Sequence, residues 1–293
     1  MIEDLEKKDT PLILEIKRGI LARTRRQYLK ADRHFHAALK MAQNQQYSDA
    51  ETYIFDCMAD NCLEQDQFDQ ARDLYLEVIG RLQDKLKSNE LVEISCKLAH
   101  CYSNTGNHSN AEMGFQFAIN TILLETETFY SDKNNKILVD ELNDKQKNSL
   151  ALLGMCYDYY SKHLEDVHLK YSLTYKLKAL KISEIVNGKN EQQTLVLHND
   201  IASVYVQMKE YELAKSNLST AIAGAKEIDL SELPFFYVNL AVIYHQQKRT
   251  DLAIQQCRNA QDFLLKYKTS FTQTEFNELS GRCDDCLKGD RFY

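Results

Sequence analysis

Residues that break regular structure are scarce: the 293 residues include only 9 glycines and 2 prolines. Hairpins and tight turns draw on residues that reach positive φ or hold φ fixed. Their shortage leaves little room for sheets, and a chain of long helices is expected. No apolar run reaches the roughly 20 residues that a membrane-spanning helix requires. Glycine-rich phosphate loops, paired catalytic carboxylates and metal-binding helix motifs are absent too. The opening MIEDLEKK carries Glu3, Asp4 and Glu6, whereas a mitochondrial leader is poor in acids and rich in Arg and Ser. No targeting segment is therefore visible, and a helical pattern has begun by residue 11, as a mature or truncated form would show.

The balance of 36 basic against 43 acidic residues leaves a formal charge of -7. A field of that sign disfavours nucleic acid and anionic membranes as partners. The short basic stretches Lys17-Arg18 and Arg23-Thr24-Arg25-Arg26 fall on several helix faces and read as solvated surface. Eight cysteines (57, 62, 96, 101, 156, 257, 283, 286) sit mostly inside apolar helical patterns. There a free thiol packs as a small hydrophobe, which points to a reducing compartment rather than a disulfide framework.

What is present is a repeat. The stretches starting at Ile94, Leu197 and Phe236 share one pattern: an apolar residue, a small residue, and an aromatic three further on. These are Leu98-Ala99-Tyr102, Ile201-Ala202-Tyr205 and Leu240-Ala241-Tyr244. Alanine recurs twelve after the small residue (Ala111, Ala214, Ala253) and seven later again (Ala118, Ala221, Ala260). This is the tetratricopeptide spacing of a helix-turn-helix unit. Its small positions let helices A and B approach closely, and the aromatic fills the wedge beside them.

Two earlier units drift from the pattern but keep it: Met58, Ala59, Cys62, Ala71, Tyr75 and Val78 in one, and Gly19, Ala31, Phe35 and Ala38 in the other. The remaining unit, fourth in chain order, contains LLGMCYDYY, with Leu153-Gly154 and Tyr157 in the helix A positions. Its helix B keeps Ala179 but has Ser172 and Lys176 where alanine and an aromatic belong. The 55 residues between Ala99 and Gly154 exceed the 40 between Ala59 and Ala99, so longer helices and a polar loop are expected around LETETFYSDKNNKILVDELNDKQKN. The predicted fold is all-α: a single tetratricopeptide-repeat domain over 1–293, a right-handed superhelix of about six helix pairs. The repeats are placed at 12–46, 52–86, 92–124, 147–187, 195–228 and 234–267, with a capping helix at 271–288.

Candidate chemistry is thin. Cys156 would need an adjacent base and oxyanion donors, and mid-helix N–H groups are already bonded. Cys283-Asp-Asp-Cys286 has the spacing of half a zinc site or of a redox pair. No second ligand pair follows it, and no strands surround it. His34 and His36, two apart on a helix, face different ways. Catalytic, cofactor and metal sites are therefore all read as none. The repeat register instead places a protein-binding groove on Tyr53, Asp56 and Asp60, then Glu93, His100 and Asn104, then Asp158 and Tyr159, and finally Asn199, Ser203, Gln207 and His245. Its first half is acidic and suits a basic or amphipathic protein segment. The helix A positions that form a chaperone carboxylate clamp in other such domains hold Cys57, Lys97, Leu152, Asp200 and Asn239, which argues against a clamp.

The segments YIFDCMADNC, VEISCKLAHCY, LLGMCYDYY, ALKISEIVNGKNEQQTLVLHNDIA and VNLAVIYHQQKRTDLA occur in that order between about residue 30 and residue 265. Together they resemble the tetratricopeptide repeat protein 19 family. GMC in the fourth unit, QTLVL before the fifth and the insertion before Gly154 are the specific features. The resemblance implies a non-catalytic adaptor of mitochondrial respiratory complex III at the inner membrane. Such a protein supports assembly and upkeep of the complex, including clearance of presequence fragments of the Rieske subunit. Its partners would be complex III subunits and the Rieske protein or its fragments. Family members normally carry a targeting region and a hydrophobic segment ahead of the repeats, neither of which is seen in this chain. The competing expectation is a cytosolic cargo adaptor resembling kinesin light chains, which also use repeats longer than 34 residues.

Overall fold

The computed structural model describes residues 10–82, 88–268, 271 and 273–288, leaving aside the side chains at 82, 88, 273–275 and 285–288. The fold is all-α, with thirteen helices and one two-stranded hairpin among the described residues. Two compact units divide it, Met1–Ile122 and Leu123–Tyr293.

In the first unit α1 (Pro11–Thr24) pairs with α2 (Tyr28–Asn44), and α3 (Ser48–Leu63) with α4 (Phe68–Leu82). Then α5 (Ser88–Asn104) is followed by α6 (His108–Thr126), whose last turn passes into the second unit. Helix α1 starts where Thr10 Oγ1 accepts the Ile13 N–H at 3.3 Å and Pro11 takes the first turn, a position that lacks an amide partner anyway. In the second unit α7 (Asp144–Leu164) packs on α8 (Leu169–Val186), α9 (Gln192–Gln207) on α10 (Tyr211–Glu227), and α11 (Leu233–Gln246) on α12 (Thr250–Lys266). Helix α13 (Gln273–Lys288) lies against α12 and α11. A capping box starts α7: Asn143 Oδ1 accepts from the Gln146 N–H, and Gln146 Oε1 from the Asn143 N–H, both at 3.0 Å.

The repeat positions read from the sequence form the core. Helix B alanines 31, 71, 111, 214 and 253 are at most 1 % exposed, and Ser172 stands in the same buried place in α8. One turn on, Phe35, Tyr75, Phe115, Lys176, Leu218 and Cys257 are equally buried. The close approach is visible at Gly154, where an added Cβ would sit 2.9 Å from Ile182 Cγ2 of α8. At Gly19 the Phe35 ring would be 2.5 Å away.

The shortage of glycine has a structural counterpart in the turns. Arg26, Asp66, Gly106, Lys209 and Lys248, each between a helix A and its helix B, all have φ between 55° and 79°. Only one of them is glycine, so the other turns accept the strain of a left-handed side-chain residue, roughly 1 kcal/mol each. The insertion before Gly154 is built differently from the expected polar loop. Alongside α6 of 19 residues and α7 of 21, it contains an antiparallel hairpin, β1 (Tyr130–Ser131) with β2 (Lys136–Ile137), in register Tyr130↔Ile137. Tyr130, 2 % exposed, anchors it in the core.

Candidate protein-binding site

In the first unit the helix A period puts α3 residues 49, 53 and 56 on one face, and α5 residues 90, 93 and 94 on another. With Leu12, Ile13 and Ile16 of α1 they enclose a pocket of about 290 Å³. Three of the candidate residues meet there: Tyr53, Asp56 and Glu93. Asp56 Oδ1 is buried without a hydrogen-bond partner among the described residues. Burial first, and then the charges of Asp60 and Glu93, push its carboxyl up to about 6, against the pull of Lys97 and Arg23. Burial likewise raises the Tyr53 phenol to about 12.

Asp60, one turn further along α3, is committed elsewhere. Its Oδ1 accepts from Tyr75 Oη and from Lys97 Nζ, both at 2.7 Å, and its Oδ2 lies 3.1 Å from Arg23 Nη1. Burial alone would raise this carboxyl, but Lys97, Tyr75 and Arg23 together hold it below its ordinary value. The residue thus ties α1, α3, α4 and α5 together. Arg23, read from the sequence as solvated surface, has a side chain only 16 % exposed and also pairs with Glu64 at 3.4 Å. The repeat register turns it inward from the end of α1 toward Asp60, a placement its basic neighbours concealed. Lys97, which completes the hub and also reaches Glu93 at 2.7 Å, stands out in the sequence only as a departure from the clamp pattern.

His100 and Asn104 sit apart from that pocket, near the turns. The His100 ring meets Phe68 edge-on at 5.7 Å. Asn104 Nδ2 donates to the His100 carbonyl at 2.9 Å and lines a shallow polar depression of about 590 Å³ with Asp66, Phe68 and Tyr102.

In the second unit Asp158 is held between the exposed Lys162 and the buried Lys176. Asp158, 8 % exposed, accepts from Lys162 Nζ at 2.8 Å, and Lys162 lies over the Tyr159 ring at 5.7 Å. Lys176, where an aromatic belongs, is 1 % exposed and pairs with Glu165 at 2.9 Å, with Asp158 Oδ1 3.9 Å away. Asp200 joins this cluster, its carboxyl raised by burial despite Lys176 and Lys162. Asn199 Oδ1 accepts from Asn239 Nδ2 at 2.8 Å, and Ser203 Oγ donates to the Asn199 carbonyl. Gln207 is exposed and His245 half-buried.

Cys156 is fully buried in α7. Cys283 is fully buried too, and its hydrogen bond with Cys257 of α12 holds its thiol below the usual value. The Cys286 side chain lies outside the described residues. Among the described residues no group of three or more His, Cys, Asp or Glu side chains is placed to hold a metal ion, and no helix is long and apolar enough to cross a membrane.

A tetratricopeptide repeat family model matches residues 236–262. The tetratricopeptide repeat protein 19 homolog, mitochondrial, of Drosophila melanogaster is 30% identical over 262 residues, which cover 87% of this chain and 68% of that protein. The chain belongs to the tetratricopeptide repeat protein 19 family. The family member of Rattus norvegicus is 26% identical over 291 residues, covering 94% of this chain and 76% of its own. Both relatives are named as mitochondrial, which supports the same compartment for this member. Among solved structures, a Rap protein complexed with competence and sporulation factor superposes with a TM-score of 0.66 at 15% identity, over 98% of this chain and 79% of that one. That likeness concerns the fold alone.

Proposed function

We propose that this member of the tetratricopeptide repeat protein 19 family is a non-catalytic adaptor that binds respiratory complex III at the mitochondrial inner membrane. It supports assembly and maintenance of the complex, including removal of Rieske presequence fragments. Family membership across most of the chain carries the reading. The candidate residues support it in kind: they are polar and aromatic side chains presented on helices, with cysteines packed in the core, and this suits recognition of protein rather than bond-making chemistry. In the first unit the face formed by Tyr53, Asp56 and Glu93 is the part of the candidate groove offered to a partner, with Asp60 bracing it from behind. Loss of the protein from cells is expected to lower complex III activity and leave Rieske fragments in the inner membrane. Normal complex III activity with no fragments in the deletion strain overturns the reading.

A further inference from the structure

The pocket beside Asp56 is both apolar and one-signed in charge. Leu12, Ile16 and Ile94 supply aliphatic wall, and Tyr47 and Tyr53 stand at it 39% and 36% exposed. Asp49, Asp56, Glu90 and Glu93 line it as well, and among the described residues no lysine or arginine does. Two carboxylates of α3 then differ in a telling way. Asp60 has three cationic or hydroxyl partners, whereas Asp56 Oδ1, one turn away, is buried with none among the described residues. A buried carboxylate oxygen without a partner costs stability, and a positive charge arriving from outside would supply the missing partner.

Resting on the adaptor reading above, we propose that this pocket anchors a basic amphipathic helix of a partner protein. One large apolar side chain enters between Leu12, Ile16 and Ile94, and a lysine or arginine on the same face pairs with Asp56. The space, about 290 Å³, admits a single large side chain rather than a whole helix, the geometry of a knob on an amphipathic partner. Residues three or four apart on a helix stand about 5–6 Å from each other, which lets one helix face offer the apolar knob and the cation together. An acidic partner is disfavoured by the carboxyl-rich lining of Asp49, Asp56, Glu90 and Glu93. The carboxyl raised to about 6 accords with this: burial first, and then the charges of Asp60 and Glu93, disfavour its ionised form, Lys97 and Arg23 favour it, and a bound cation would draw its proton off.

The probe is a fluorescein-labelled synthetic helix with leucine and arginine on one face, titrated into the full chain and followed by anisotropy. Its control carries glutamine for every arginine. The arginine peptide is expected to bind, weaken as salt rises, and lose roughly tenfold in affinity with Asp56→Asn. The same variant is expected to melt no lower than the parent at neutral pH, which separates lost recognition from lost folding. Equal binding of the glutamine control, or unchanged affinity in Asp56→Asn, overturns the proposal. So does dimerisation of the chain that Asp56→Asn abolishes in the absence of peptide binding, which would assign the pocket to a second copy. Peptide binding seen only after deletion of residues 1–9 would assign the pocket to the chain's own leading segment and overturns the proposal equally. Co-purification of the tagged full chain with complex III is scored in parallel. Co-purification without peptide binding removes this inference and leaves the adaptor reading standing, while peptide binding without co-purification does the reverse.

Discussion

Asp56 and Asp60 show how two like residues one turn apart acquire opposite roles. Asp60 titrates low because Lys97, Tyr75 and Arg23 hold its charge against burial, and Asp56 titrates near 6 because burial, with the charges of Asp60 and Glu93, disfavours its ionised form. The sign of the stability effect follows. An unfolded aspartate titrates near 4, so the folded state keeps the Asp56 proton more tightly than the unfolded one. That contribution to stability is fully present below about pH 4 and is lost as pH rises through about 6. Asp56→Asn is therefore expected to stabilise the chain by about 2 kcal/mol at pH 7.5 and to change nothing near pH 4; urea melts at the two pH values check this. Lys176 is the second residue whose meaning needed the structure. In sequence it is an irregularity at an aromatic position, and in the fold it is a buried cation answered by Glu165 and Asp158.

At the level of elements, packing distance decides which glycines matter. Gly154 faces Ile182 of α8, with 2.9 Å left for a Cβ, whereas none of the described residues lies within 4 Å of a Cβ added at Gly80 in α4. Gly154→Leu is expected to cost about 2–3 kcal/mol by overpacking the α7/α8 seam. Gly80→Ala is expected to gain up to about 1 kcal/mol from helix propensity. Thermal melts of the pair test the contrast, and equal effects would count against the seam. The hairpin of β1 and β2 depends on a different device. Asp132 accepts from Tyr157 Oη and from Lys178 Nζ, both at 2.6 Å, and so binds the inserted segment to α7 and α8. Asp132→Ala is expected to destabilise the chain by about 1–2 kcal/mol and to speed amide exchange over 130–137 ahead of the flanking helices. Unchanged exchange there would mean that Tyr130 alone holds the hairpin. From the sequence this insertion reads as polar loop, because two-residue strands carry too short a pattern for period-two alternation to register.

For the whole molecule, the repeat arithmetic was enough to read the all-α fold and its helix pairs, and the family resemblance came from the more specific segments GMC, QTLVL and the insertion before Gly154. Alanine at fixed offsets with an aromatic one turn on suits helices packed at close approach; the alanines are buried as expected, while the helix A aromatics Tyr102, Tyr205 and Tyr244 are half-buried beside them. The site was legible only as a set of helix faces. Register says which side a residue is on, but not what stands opposite, and opposition is what sorted the candidates. Tyr53, Asp56 and Glu93 converge on one apolar pocket, Asp60 and Asp158 are taken up by basic side chains, and His100 and Asn104 lie by the turns. Those partners come from helices up to 37 residues distant, as Lys97 is from Asp60. Local periodicity is fixed by the chain's own neighbours, whereas desolvation and charge pairing depend on side chains that only folding brings within a few ångströms.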